Sequence, residues 1–207
     1  YKLIAIDSCE NESIISNVSN SIVIKTSSYI NLVNTLNWNV YKGFDAGVRK
    51  YDIYRSVDGS SSSKFVGSIG NNVLHFEDNV NEYLDKKGEF CYYVIAREGN
   101  GNRFGISDSS FSNISCTFQE PTLYVPNAFN PDGGINITFK PVCVFVDEKD
   151  YRFEIYDRGG RLIFSTNKTT DAWDGSGAGV GVYVYRVSYI DLNGIPFEKR
   201  GTVTLIR

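Results

Sequence analysis

Apolar and polar positions alternate with a period of two through most of this chain. From Val48 to Ser56 the alternation puts Tyr51, Ile53 and Arg55 on one face. The runs Phe90–Ala96 and Val180–Tyr189 are rich in β-branched and aromatic side chains, which suit a pleated, half-buried surface. Clusters of Gly, Asn, Asp and Ser separate the runs and mark turns. No segment longer than about three turns keeps an apolar period of 3.6. Residues 79–87 have room for one helical turn at most. The pattern predicts an all-β protein built of β-sandwiches.

The pattern also divides the chain. Tyr1-Lys-Leu-Ile-Ala-Ile-Asp7 matches Tyr92-Tyr-Val-Ile-Ala-Arg-Glu98, with a Tyr preceding an apolar residue by two positions and an Ala by four. A Ser-rich turn and a cysteine follow both copies. The second copy closes a domain that opens near residue 20, so the first reads as the end of a preceding domain. A short chance match is the other reading. Pro121 cannot donate to a continuing ladder and sets the next boundary, within Phe118-Gln-Glu-Pro-Thr122. The expected organisation is a remnant over residues 1–20, one sandwich over 21–120 and a second over 121–207. The chain contains no Met, which predicts a fragment of a longer protein, with any targeting segment upstream.

Composition narrows the partners. A chain of 207 residues with 42% hydrophobic content can bury two cores. With 22% charged residues and a formal net charge of −3, it lacks the basic surface of a nucleic-acid binder or a polybasic membrane segment. No apolar run approaches the roughly 18 residues of a membrane helix, so no direct span is expected. The cysteines are Cys9, Cys91, Cys116 and Cys143; none forms a Cys-x-x-Cys pair, and His75 is the only histidine. That disfavours zinc and favours disulfides in an oxidising compartment. Cys91 starts one strand and Cys116 ends the next. With a turn centred near residues 103–104 they face each other across an antiparallel pair, which predicts a Cys91–Cys116 disulfide. Closing a loop of about 25 residues is worth roughly 3 kcal/mol in the chain-entropy model. Two buried thiols are the other reading. Cys9 is expected to pair with an upstream segment, and Cys143 to be a free buried thiol.

Leu36-Asn-Trp38, Tyr51-Asp-Ile-Tyr-Arg55 and Tyr92-Tyr-Val-Ile-Ala96 follow one another as in a fibronectin type III domain, and residues 21–118 resemble one. The resemblance implies that Trp38 is the core indole of an early strand. It also implies that Tyr92 is a corner tyrosine whose hydroxyl is tied to nearby backbone. Such modules are mostly spacers and binding surfaces, and the fold itself carries no reaction.

Residues 122–207 are punctuated by glycines, with Phe129, Phe139, Phe153, Tyr156, Phe164, Trp173, Tyr183 and Tyr185 as core candidates. Asp174-Gly175 and Asn193-Gly194 are turn signals. Asn193-Gly194 predicts a last hairpin whose second strand runs from about Phe197 to Arg207. The motifs, in order, are Pro126-Asn-Ala-Phe129, Phe139-Lys-Pro141, Ile155-Tyr156, Arg158, Gly160, Trp173-Asp-Gly175, Gly181-Val-Tyr183 and Gly201-Thr-Val-Thr-Leu-Ile-Arg207. This domain resembles the type B C-terminal sorting domain of type IX secretion cargoes of Bacteroidota, also called the gliding-motility-associated C-terminal domain. There are two departures. The loop Pro131–Asn136 is one residue shorter and one acidic group poorer than the family pattern. Gly159 stands where the family has an aromatic, leaving a space that a neighbouring side chain is expected to fill.

The resemblance implies recognition in the periplasm, passage through the type IX translocon, and delivery to an outer-membrane shuttle or, for the type B form, a PorP/SprF-type anchor protein. It makes Gly201, Thr202, Val203, Thr204, Leu205, Ile206 and Arg207 the partner-binding export signal. Pro126, Asn127, Phe129, Arg158, Gly160, Trp173, Asp174 and Gly175 are then motif residues with structural roles, beside Trp38 and Tyr92 in the first sandwich. A strand that ends without a tail suggests that its edge and terminal carboxylate are read by the partner. A plain last ladder of the sandwich is the other reading.

Reactive chemistry is hard to assemble from what remains. Asp132 is the only acid in its loop, too few ligands for calcium even with Asn136. Asp171 with Asp174, or Glu154 with Asp157, lacks the cleft that glycoside hydrolysis needs. Trp173 reads as core rather than as a sugar platform. His75 has no Ser or Cys motif around it. Asn11, Asn17, Asn113, Asn136 and Asn167 begin Asn-x-Ser/Thr triplets, a chance feature of an Asn-rich bacterial-looking chain and glycan sites only in a eukaryotic secreted one. The expectation is a non-enzymatic C-terminal part of a large, adhesin-like gliding-motility protein, with no catalytic residue, metal, cofactor or nucleic-acid partner. It would be found at the cell surface with the outer membrane, or secreted, via the periplasm. The alternative is a set of accessory modules of a secreted polysaccharide-degrading enzyme exported by the same route.

Overall fold

The computed structural model describes residues 1–207 except Ile14, Asn17, Ile30 and Phe104. Asn17 of the glycan triplets and Phe104 of the expected 103–104 turn therefore lie outside the described residues. The fold is all-β, as the alternation predicts, and among the described residues helix is confined to the short 3-10 turns Asn81–Tyr83 and Glu148–Asp150. No helix of the described residues is long and apolar enough to cross a membrane. The chain divides into two compact units: Tyr1–Val80 with Glu89–Phe118, and Asn81–Gly88 with Gln119–Arg207.

The first unit contains β1 (Ile24–Tyr29), β2 (Val33–Trp38), β3 (Val48–Val57), β4 (Lys64–Gly70), β5 (His75–Asn79), β6 (Glu89–Glu98), β7 (Ser109–Phe111) and β8 (Ser115–Phe118). One sheet has the order β1-β2-β5; the other runs β4-β3-β6-β7, with β8 also paired to β6. The two sheets form a sandwich: the Trp38 ring of β2 meets Tyr51 of β3 edge-on at 5.6 Å. Alternation buries Tyr51, Ile53 and Arg55 of β3 together. A buried guanidinium needs a compensating charge, and Asp78 of β5 supplies it to Arg55. The Tyr92 hydroxyl donates to the same carboxylate at 2.7 Å and accepts from the Asn34 side chain at 2.8 Å. The expected backbone tie of Tyr92 is thus corrected. Asp78 must already lie in the core beside Arg55, and a carboxylate is a stronger acceptor than a carbonyl. Burial first, and then the Asp78 charge, push the Tyr92 phenol far above its usual range. Cys91 and Cys116 are direct partners in the β6–β8 register and are joined by a disulfide. Cys9 is exposed and Cys143 half-buried, both as free thiols. Near the start of the chain, the Ser13 and Ser16 amides donate to the Ala5 and Leu3 carbonyls.

The second unit contains β9 (Thr122–Tyr124), β10 (Ala128–Phe129), β11 (Val142–Val144), β12 (Arg152–Tyr156), β13 (Leu162–Thr166), β14 (Gly181–Ile190) and β15 (Pro196–Leu205). Its main sheet has the order β10-β15-β14-β12-β13, with β9 and β11 forming a separate pair. β14 and β15 pair along their whole length, from Gly181↔Leu205 to Ile190↔Pro196. Their turn is built on Asp191, whose carboxylate accepts from the amides of Asn193 at 2.9 Å and Ile195 at 2.7 Å. Gly194 takes the left-handed conformation, φ 79°, that the turn requires. One face of the sheet is buried and carries Phe153, Ile155, Tyr185, Val187, Tyr189, Val203 and Leu205. Phe129, Phe139, Trp173, Val146 and Tyr151 pack with them, together with the half-buried Leu123 and Cys143 of the β9–β11 pair. Tyr156, a core candidate by sequence, faces the other way: Phe153 and Ile155 hold the inner face of β12, and a period of two sends Tyr156 outward.

Candidate functional site

The closing strand is held on three sides. Val203 and Leu205 are fully buried, and Thr202 and Thr204 point to the opposite face. Gly201 also points inward, where the Tyr185 ring takes the room a side chain would need: a Cβ there would lie 2.5 Å from the Tyr185 hydroxyl. Within Gly201–Leu205, only Thr202 and Thr204 can offer side chains to a partner. Ile206 and Arg207 continue beyond it, exposed. The Arg207 guanidinium donates to the Ala178 carbonyl at 3.2 Å and lies 3.8 Å from the Asp132 carboxylate.

The far edge of β15 is taken at its end. β10 runs parallel to it, pairing Ala128 with Thr204 and Phe129 with Leu205. The Thr204 amide donates to the Asn127 carbonyl at 2.9 Å and the Ile206 amide to the Phe129 carbonyl at 3.1 Å. Pro126 and Asn127 thus lead the chain into the short strand that closes this edge. From Pro196 to Val203 the same edge has no strand partner among the described residues.

The remaining motifs converge on the same end. Trp173 is buried, with its ring 5.2 Å from Phe129 and edge-on to Tyr183 at 5.0 Å. Its main chain exchanges both hydrogen bonds with Phe139, at 2.8 and 2.9 Å. Asp174 then caps the turn, accepting from the Ser176 amide at 2.9 Å and the Ser176 hydroxyl at 2.8 Å. These bonds hold its carboxyl below the usual carboxylate range. Gly175 has φ 77°, and a Cβ on it would stand 2.7 Å from Leu205 Cδ1. The turn therefore presses directly on the last buried residue of β15. Gly175→Ala meets both a left-handed backbone and a steric overlap, so a loss of about 1–3 kcal/mol is expected. It would appear as a lower denaturant midpoint of the full chain at unchanged slope; an unchanged midpoint would contradict the contact.

The outer face of the sheet carries a second group of side chains. Tyr156, Val184 and Thr202 form one cross-strand row, Val182 and Thr204 the next, and Glu154, Arg186 and Arg200 a third. Glu154 is buried beneath this surface, which alone would raise its pKa. Hydrogen bonds from Tyr156 at 2.9 Å and Arg152 at 2.6 Å, with the Arg186 charge, hold its carboxyl below the usual range instead. The β12–β13 turn is fixed by Asp157, whose carboxylate accepts from the amides of Gly159 and Arg161, each at 2.9 Å. Gly160, φ 80°, completes it. The turn lays Arg158 across β14, where Gly181 leaves room: a Cβ there would be 3.4 Å from Arg158 Nη2. No side chain fills the place of the absent aromatic, contrary to expectation. Gly159 is exposed, so the missing ring leaves no buried void but a shallow hollow lined by Arg158, Val180, Gly181 and Val182. Val182, Val184, Arg186 and Arg200 were not sequence candidates. Valines in a strand read as core until the inward set of Tyr183, Tyr185 and Val187 fixes the register.

No curated protein matches the chain. Among solved structures it is similar to pectate lyase Pel3 from Pectobacterium carotovorum, at 17% identity and a TM-score of 0.37, over 54% of this chain and 34% of that one. It is similar to the chicken CNTN1 FN1–FN3 domains at 13% identity and a TM-score of 0.41, over 91% and 67%. It is also similar to fibronectin(III)-like modules of Clostridium thermocellum CbhA at 13% identity and a TM-score of 0.28, over 99% and 93%. The chain spans only about a third of the length of the pectate lyase, and likenesses this distant carry no function. The match to a family model is of another kind. It covers residues 123–205, from β9 to the last residue of β15, and its description is the CHU_C type IX secretion signal domain, which implies handling by the type IX machinery for export out of the cell. Residues 123–205 of this chain match the family model of the CHU_C type IX secretion signal domain.

Proposed function

We propose that this chain is the C-terminal part of a large adhesin-like, gliding-motility protein of Bacteroidota, and that its last domain directs both export and attachment to the outer membrane. A PorP/SprF-type protein receives it there. The first sandwich, over residues 21–120, and the end of a preceding one, over 1–20, act as spacers behind the adhesive part, with the signal domain over 121–207. The observation that carries this reading is the convergence of the separate motifs on one strand end: β10 pairs with the end of β15, the Trp173–Gly175 turn packs on Leu205, and Arg207 just beyond bonds back to Ala178. A signal scattered through the sequence becomes one rigid object, presenting Thr202 and Thr204 outward. The test fuses the full 207-residue chain behind a reporter directed to the periplasm. Reporter is expected on the surface of cells with the type IX translocon and in the periplasm of cells lacking it. Periplasmic retention in both strains would overturn the reading.

A further inference from the structure

The outer face of the second unit's sheet combines an apolar patch with one uncompensated cation. Val182 and Val184 are each about two-fifths exposed, at 41% and 43%, although they lie in the middle of a five-stranded sheet. Cross-strand pairing sets Thr204 and Thr202 beside them, giving a contiguous square of β-branched side chains. Val180, 66% exposed, extends it toward the hollow at Gly159. The acids around the patch are already committed. Glu154 holds Arg152 and Arg186, Glu198 holds Arg186 and Arg200, and Asp157 holds Arg161. Arg158, at the rim, has no acidic partner among the described residues. Arg158 is exposed, and its guanidinium lies next to Gly181, between the valines Val180 and Val182, where a Cβ on Gly181 would stand 3.4 Å from Nη2.

We propose that this face docks an acidic, apolar-tipped segment of a protein partner in the export pathway; the inference rests on the proposed export function. A partner carboxylate pairs with the Arg158 fork, a geometry that guanidinium favours. An apolar side chain next to it settles on Val182, Val184, Thr202 and Thr204 and occupies the hollow that Gly159 leaves. Charge complementarity selects a protein segment over an anionic membrane. Lipid surfaces are read by clusters of about four to eight basic residues, whereas here the other arginines are neutralised by neighbouring carboxylates.

The test uses the same full-chain reporter fusion with two substitutions. Arg158→Glu reverses the rim charge, and Gly159→Trp fills the hollow from the domain's own side. Gly159 has no left-handed φ, but a Cβ there would stand 3.3 Å from the Asp157 carboxylate that anchors the turn, which must yield by a few tenths of an ångström. Arg158→Glu is therefore expected to keep the wild-type denaturant midpoint and Gly159→Trp to stay folded, while surface export falls at least about tenfold in each, the loss of one good charged contact. Arg158→Gln serves in place of the reversal if that variant unfolds. Wild-type export by either folded variant overturns the proposal. So does binding of the purified chain to phosphatidylglycerol vesicles that Arg158→Glu abolishes, because the face would then be a lipid site. A wild-type fusion that stays in the periplasm overturns the export function itself, and the proposal with it.

Discussion

Trp173→Ala is expected to destabilise the second unit by about 3–5 kcal/mol, the range for truncating a buried aromatic ring. The indole is 3% exposed and packs against Phe129 and Tyr183. Collapse into the vacated space is blocked from two directions. The Trp173 main chain is pinned to Phe139 by two hydrogen bonds, and Phe129 is pinned to Leu205 by the β10–β15 ladder. The cavity therefore persists, and its cost adds to the lost transfer energy. A domain of this size is stable by only about 5–15 kcal/mol, so the variant keeps a small margin. The same substitution removes the support for the Asp174–Gly175 turn, and with it the pressure on Leu205. Export of the reporter fusion should fail even though Trp173 itself is hidden from any partner. Denaturant unfolding followed by circular dichroism measures the loss. A shift below about 1 kcal/mol would mean that the pocket closes after all.

The sequence disclosed strands more readily than what lies beside them. Alternation placed β3, β6, β14 and β15 because each is long enough for a period of two to repeat. β10 has only two residues, too short for any period, yet it decides which part of the β15 edge is closed. Gly175 was readable as a turn glycine from Asp174-Gly175. Its second constraint, the approach to Leu205, joins positions 30 residues apart, and local pattern cannot report that. Outward valines mislead for a related reason. Val182 and Val184 fit a strand on either face, and only packing of Tyr185 and Val187 against Phe139 and Phe153 settles the side. The closing strand, read from sequence as a segment offered whole to a partner, divides in the fold into buried Val203 and Leu205 and outward Thr202 and Thr204. The proposed docking face therefore combines these threonines with side chains of β14, which the sequence motifs hold as separate features.

Asp78→Ala in the first unit is expected to cost about 3–5 kcal/mol, the loss typical when one partner of a buried ion pair is removed. Asp78 and Arg55 are both nearly inaccessible, with side chains 9% and 6% exposed. Without the carboxylate, the guanidinium stays in the core without its Asp78 ion pair. Tyr92 loses the acceptor for its hydroxyl in the same step, although Asn34 still donates to it. The arrangement spans both sheets: Asn34 and Asp78 lie on β2 and β5, Arg55 and Tyr92 on β3 and β6. Truncating Asp78 thus releases the polar tie between the two layers. Tyr92→Phe separates the contributions. It leaves the Arg55–Asp78 pair whole and removes both hydrogen bonds of the hydroxyl, the one from Asn34 and the one to the charged Asp78, the latter worth about 1.5–3 kcal/mol. Fluorescence of Trp38, packed edge-on to Tyr51 in the same core, follows unfolding of this unit in each variant. The larger loss should belong to Asp78→Ala. Equal losses would mean that Arg55 reaches solvent or another acceptor once Asp78 is gone, and that the tyrosine hydroxyl rather than the ion pair holds the sheets in register.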